Sequence, residues 1–308
     1  MVYTTDDLLA SVKLNSYLPP QINFTDQQFL ELGDDEIFNS LASLLVSFDQ
    51  GYYQESLDNP FVAGQSVYSF PKYAMWNKIR RIDRISNGNI VYPSLRMITP
   101  DQIWENNSYQ QGTPRAFLLN HDTIQFFPTP QAGITDLWRI WYYRRPGRMV
   151  LKSAAANVQS VNLATGQVTY AAVPPATFTA SSYHDFYSST PPFVRLQNNI
   201  QASALAGNVQ TFPVASVQNL KQGDWVNILD ETVFPPVPLE LQPFLMELIV
   251  KTLTKTILDV DAYQVQRGEI LERIKSVVSS APGNRNVGQS IKMTQVRNGR
   301  LSWRRYYW

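Results

Sequence analysis

The sequence predicts an α+β protein: N- and C-terminal helices forming a helical bundle, a central β-rich region with an inserted small β-barrel or sandwich, and an extended C-terminal arm. Three observations lead there. Apolar residues recur at helical spacing near both ends. From about residue 60 the period turns strand-like, with Gly and Pro between short runs. After Pro282-Gly283 no period persists. The chain divides accordingly into N-terminal helices (1–58), a β-rich region (59–149), a β insertion (150–236), C-terminal helices completing the bundle (237–280) and the arm (281–308).

Thr4 with Asp7, and Thr25 with Gln28, form capping-box patterns ahead of Leu8, Leu9 and Val12 and of Phe29, Leu30 and Leu32. Pro19-Pro20 closes the first segment and Gly33 breaks the second. Ile37, Leu41, Leu44, Leu45 and Phe48 then recur along one helix face as far as Gly51. Val67–Phe70 is a short strand closed by Pro71, and Ile79, Ile82 and Ile85 lie in an Arg-rich strand. Asn87-Gly88 turns that strand back on Ile90–Tyr92 as a hairpin. Thr99-Pro100 starts a short helix carrying Ile103 and Trp104. A second hairpin joins Ala116–Leu119 to Thr123–Phe127, and Leu137–Tyr143 is an aromatic strand.

In 150–236, β-prone runs recur at Gln167–Tyr170, Phe193–Leu196, Val209–Phe212 and Trp225–Leu229. Pro235-Pro236-Val237-Pro238 is a stiff hinge. Leu241, Leu245, Leu248, Ile249, Leu253 and Ile257 supply one helical stripe; Ile270, Ile274, Val277 and Val278 supply a second, with a break at Gly268.

Apolar residues make up 44% of the 308, but charged ones only 17%, below the usual quarter. A surface poor in charge and rich in Gln, Asn, Ser, Thr and Tyr suits a protein covered by neighbours. The net charge of +1 gives the whole chain no pull toward nucleic acid or anionic lipid. Without cysteine, disulfides, zinc–thiolate sites and thiol nucleophiles are excluded. The N-terminus lacks a signal-peptide pattern and no run reaches the roughly 20 apolar residues of a membrane span, so the chain reads as soluble, with no membrane partner.

Residues arranged for catalysis are few. His121, between Asn120 and Asp122, reads as a hairpin turn rather than a ligand or base. His184, in Tyr183-His184-Asp185-Phe186, reads as loop. Asp6-Asp7 and Asp34-Asp35-Glu36 sit where helices begin, which carboxylates favour. Asp259 and Asp261 lack the other ligands of a calcium loop. No phosphate loop, dinucleotide fingerprint or nucleophile elbow is present. The expectation is no enzyme, no cofactor and no metal.

What remains is interaction chemistry. After Glu272 there is no acid, and the chain ends Leu301-Ser-Trp-Arg-Arg-Tyr-Tyr-Trp308. Trp, Tyr and Arg dominate interface hot spots, so Arg297, Arg300, Leu301, Trp303, Arg304, Arg305, Tyr306, Tyr307 and Trp308 are the candidate partner-binding residues. Packing back on the chain's own fold and stacking on nucleic acid are the alternatives. Arg144, Arg145 and Arg148, beside Tyr142 and Tyr143, are candidates for facing DNA or a neighbouring subunit. Arg80, Arg81 and Arg84 form a further basic cluster. A solvated strand face is the plainer reading of both.

In order of elements the chain resembles the head-to-tail adaptor (connector) proteins of tailed bacteriophages. Phe24–Leu30 leading into Asp35–Phe38 carries part of the resemblance. Tyr68–Pro71 with Ile79–Ile82, Phe127–Pro130 and Trp141–Pro146 carries another, and Lys221–Val226 leading to Pro235–Leu241 a third. The resemblance implies a helical core, a homo-oligomeric ring of twelve at the virion neck, assembled in the host cytoplasm, and an arm docked on the portal protein. It also implies a far face that receives a tail or nozzle protein, with genomic DNA passing through the lumen. Another ring of the tail or nozzle is the second expectation, and a tail-associated hydrolase the third.

Overall fold

The computed structural model describes residues 4–16, 24–48, 51–91, 93–103, 111–254 and 260–280. The chain separates into two compact units, one of residues 50–145 and one that joins 1–49 to the chain from 146 onward.

Residues 50–145 form a two-sheet sandwich. Its strands are β1 (Gln54–Pro60), β2 (Val67–Ser69), β3 (Ala74–Ser86), β4 (Asn89–Val91), β5 (Arg96–Met97), β6 (Gln111–Gly112), β7 (Ala116–Asn120), β8 (Thr123–Phe127), β9 (Thr129–Pro130) and β10 (Leu137–Arg144). One sheet runs β1-β10-β3-β4 and the other β2-β8-β7-β5, with β6-β9 a small pair. Alternation builds the core: Trp138, Ile140, Tyr142 and Arg144 are buried while the residues between them are half exposed. Trp138 and Ile140 meet Tyr68, Phe117, Ile124 and Phe126 of the facing sheet. Asn87-Gly88 makes the β3–β4 turn, with both residues at positive φ and Ser86 opposite Asn89. His121 and Asp122 turn β7 into β8. Thr99 and Pro100 start a single 3-10 turn, Pro100–Gln102; Trp104 lies outside the described residues.

The second unit carries β11 (Arg148–Met149), β12 (Ala156–Asn162), β13 (Gln167–Tyr170), β14 (Tyr183–Tyr187), β15 (Arg195–Gln201), β16 (Ala204–Ala206), β17 (Val209–Thr211), β18 (Trp225–Ile228) and β19 (Glu231–Thr232). Seven of them form one sheet in the order β15-β14-β18-β12-β13-β17-β16. Its edge strands β15 and β16 are separated only by Ala202 and Ser203. At about 3.8 Å per residue that link cannot span an open seven-stranded sheet, so the sheet curls until its edges approach. Inside lie Val158, Val168, Tyr170, Phe178, Phe186, Phe212 and Val226.

The helices are α1 (Thr5–Asn15), α2 (Asp26–Glu36), α3 (Ala42–Phe48), α4 (Gln242–Thr254) and α5 (Val260–Ser280). Both capping boxes form: Thr4 N–H donates to Asp7 Oδ2 at 2.8 Å, and Thr25 and Gln28 exchange bonds of 2.8 and 3.3 Å. Gly33 does not break α2. A Cβ there would stand 2.4 Å from Met149 Cε and 3.1 Å from Ile249 Cδ1, so glycine allows a close approach inside the helix. A π turn, Ile37–Leu41, joins α2 to α3.

The expected α+β architecture with a terminal bundle is corrected. Among the described residues the protein is mostly β, with nineteen strands in five sheets, and the terminal helices do not form a bundle. The reason is what their apolar faces meet. α1 is fastened at its start to the parallel pair β11–β19: Thr5 N–H donates to Val233 O at 2.8 Å and Thr5 Oγ1 to Val150 O at 2.6 Å. α2 packs on Met149 of β11 as well as on α4. α1 and α2 thus divide their cover between α4 and the chain around β11 and β19, instead of closing on helices alone.

Candidate functional site

The nine arm candidates from Arg297 to Trp308 all lie outside the described residues. Of the other three, Arg144 is 4% exposed. Its guanidinium lies over the Tyr73 ring at 5.1 Å, with Nη1 3.4 Å from Glu55 Oε2, so its charge is directed into the sandwich. Arg145 is exposed and donates its N–H to Tyr73 O at 2.7 Å. Arg148 is exposed, 3.9 Å from Glu31 Oε1. Arg144 and Arg145 belong to one compact unit and Arg148 to the other.

The outer face of the β1-β10-β3 sheet holds the clearest aromatic–cationic array among the described residues. Its residues come together through register: Trp141 pairs with Arg81 on one side and Ser56 on the other, and Arg139 with Asp83 and Asp58. The guanidiniums of Arg81 and Arg139 lie 5.3 and 5.8 Å from the Trp141 ring. Asp83, fully buried, accepts from Trp141 Nε1 (2.7 Å), Ser94 Oγ (2.6 Å) and Arg81 Nε (2.9 Å). Asp58 takes Arg139 in a two-bond fork of 2.6 and 2.7 Å, and the bond to Asp58 raises the Arg139 pKa further. Arg84, registered opposite Trp138 on the other face, meets Asp136 at 3.3 Å, and Arg80 bonds the Gln54 amide. Arg81, Arg84 and Arg139 are thus each matched by a carboxylate. The face offers rings and fixed forks rather than a large positive field.

His184 is not in a loop. It lies in β14, fully buried, with Tyr170, Gln210 and Ser182 around it. Its Nδ1 is 3.2 Å from Asn227 O, which can only accept, so that nitrogen carries the proton. Nε2 accepts from the Gln210 amide at 3.0 Å and lies 2.7 Å from Ser182 Oγ. Tyr170 OH donates to Gln210 Oε1 at 2.6 Å. Burial pushes the imidazole down to about 4 and the Tyr170 phenol upward. A serine 2.7 Å from an imidazole has the spacing of a nucleophile and its base. An imidazole held near 4 is a poor proton acceptor at neutral pH, however, and the same lone pair already receives Gln210. As arranged, the group fastens β13, β14, β17 and β18.

Asp34, Asp35 and Glu36 end α2 rather than begin a helix, because α2 runs on through Gly33. The backbone continues from them through the π turn into α3, so these carboxylates lie within one helical stretch. Burial raises the Asp34 carboxyl to about 7, against the N–H of Met149 and the charge of Arg148, with Asp35 and Glu31 adding to the rise. Glu36 is buried and bonded to Thr252, Ser40 and Arg267. Asp185, also buried, accepts the N–H groups of Asn199 (2.9 Å) and Asp230 (3.2 Å), both at positive φ. Sequence reasoning passed over Asp83 and Asp185, each a lone carboxylate among β-prone residues, and read Glu36 as part of a helix start without its partner Arg267. Asp259 lies outside the described residues. Among those described, no three His, Cys, Asp or Glu side chains cluster as metal ligands, and no helix is long and apolar enough to cross a membrane. No protein-family model and no curated protein matches the chain.

Proposed function

We propose that this chain is a structural virion protein that forms a homo-oligomeric ring joining the portal vertex of a phage head to the tail. In this reading the arm from Arg297 to Trp308 grips the portal protein, the far side receives a tail or nozzle protein, and genomic DNA passes through the lumen. The observation that carries it is the end of the chain: residues 281–308 hold six Arg or Lys and no acid, and close on two Trp and two Tyr. The resemblance in element order to phage adaptors names the partner. The inward use of His184, Asp83, Asp185 and Glu36 as fasteners fits a chain that holds a shape.

Native mass measurement of the chain mixed with portal tests the reading. A large closed ring is expected; a chain that stays monomeric with portal present overturns it. Deleting 297–308 should abolish portal binding and leave the circular dichroism spectrum unchanged. Binding that survives the deletion removes the role given to the arm.

A further inference from the structure

Glu36, the last residue of α2, is 5% exposed. Its Oε1 accepts from Thr252 Oγ1 of α4 at 2.8 Å. Its Oε2 accepts from Ser40 Oγ of the π turn at 3.0 Å and from Arg267 Nη2 of α5 at 2.9 Å. Arg267 also donates to Ser40 Oγ at 2.6 Å and to Tyr263 OH at 2.9 Å. One carboxylate therefore joins α2, the π turn, α4 and α5. Burial removes water from this carboxylate, so the guanidinium is what makes the site tenable.

The rest of α5 is lightly held. Of its described side chains, Tyr263, Ile270 and Ile274 are the buried ones, whereas α4, at 13 residues, buries Leu245, Leu248, Ile249 and Leu253. Val265 of α5 is 61% exposed. The ion pairs Arg273–Glu247 and Lys275–Glu272 are largely exposed and hold little.

We propose that Glu36 and Arg267 form a clasp that sets the position of α5, and that opening it releases α5 as a unit while the sheets stay folded. α5 precedes the basic segment 281–308 in the chain. Any use of the clasp in portal binding rests on the proposed function; the clasp itself does not.

Amide hydrogen exchange on the full chain without any partner tests it, in the wild type, Arg267→Lys and Arg267→Met. Lysine keeps the charge but lacks the fork. Exchange at 263–279 should rise about tenfold in the lysine variant and on the order of 100-fold in the methionine variant. Tyr183–Tyr187 and Trp225–Ile228 should keep their protection. Unchanged exchange in α5 overturns the proposal. A rise spread equally over the strands, or a methionine variant that does not fold, also overturns it, because the pair would then hold the whole unit. No portal enters the experiment, so its outcome is separate from that of the proposed function.

Discussion

In the sandwich of residues 50–145 the core is aromatic, with Phe61, Tyr68, Phe126 and Trp138 meeting edge to face at 5.1–5.4 Å. It also holds polar groups inside, Asp83 and the Arg144–Glu55 pair, but they lie apart from these rings. In the other unit, polar groups go inside: His184 with Gln210 and Tyr170, Asp185 under two left-handed residues, Glu36 against Arg267. The first kind of core tolerates no lost volume but is nearly indifferent to pH. The second is cemented by buried polar groups that need exact partners, and at His184 burial that pushes the imidazole down makes it depend on pH. The two units should therefore fail in different ways.

The largest effect should come from the aromatic core. Trp138→Ala should cost about 3–5 kcal/mol in urea unfolding, and Trp138→Phe clearly less, because the indole N–H has no partner to lose. Equal costs would mean that the cluster depends on something other than filled volume.

The second effect is pH-dependent and belongs to His184. Above pH 6.5 the imidazole is neutral in both folded and unfolded chains. Between 6.5 and about 4 the unfolded chain takes a proton that the folded one refuses, so folding loses about 3 kcal/mol across that window. His184→Gln should remove this part of the stability profile. Wild-type and variant curves that run parallel from pH 7 to 4 would contradict it.

Asp34 acts with the opposite sign. Its folded pKa of about 7 lies above the ordinary 3.8, so the stability linked to its proton is full below 3.8 and is lost as pH rises through 7. Asp34→Asn, which still accepts from Met149 N–H, should stabilise by about 1–2 kcal/mol at pH 8 and by nothing measurable at pH 4. The smallest effect should be Arg139→Gln on the outer sheet face, below about 1 kcal/mol because both partners of the fork are partly exposed. A larger loss would show that the Trp141 face is tied into the core beneath it.

Legibility followed the same division. The β10 strand and the Asn87-Gly88 hairpin could be read because one face is buried and one is wet, or because a turn needs positive φ. β14 could not: His184, Asp185, Phe186 and Tyr187 are all buried, so the alternation that marks a strand is absent. Gly33 resembled a helix stop because its close contacts, Met149 and Ile249, are more than a hundred residues away. The same displaced helix end placed Asp34–Glu36 at a helix start instead of a C-terminal end. The bundle failed for a related reason. An apolar stripe says that a helix is covered, not whether a helix or a strand covers it. The candidate site was readable only as composition, since the inward turn of Arg144 depends on Glu55 of the neighbouring strand β1 and Tyr73 just before β3, both far from it in the chain.

By itself the sequence determined the caps, the two tight hairpins, the low charge and the acid-free aromatic terminus. Each of these depends on residues close together in the chain or on simple counts. The tertiary structure alone decided the sheet order that curls β15 toward β16, the burial of His184, and the pairing of Glu36 with Arg267. Those contacts join residues far apart in the chain, and their energy comes from removing water from both partners at once, which no local pattern records.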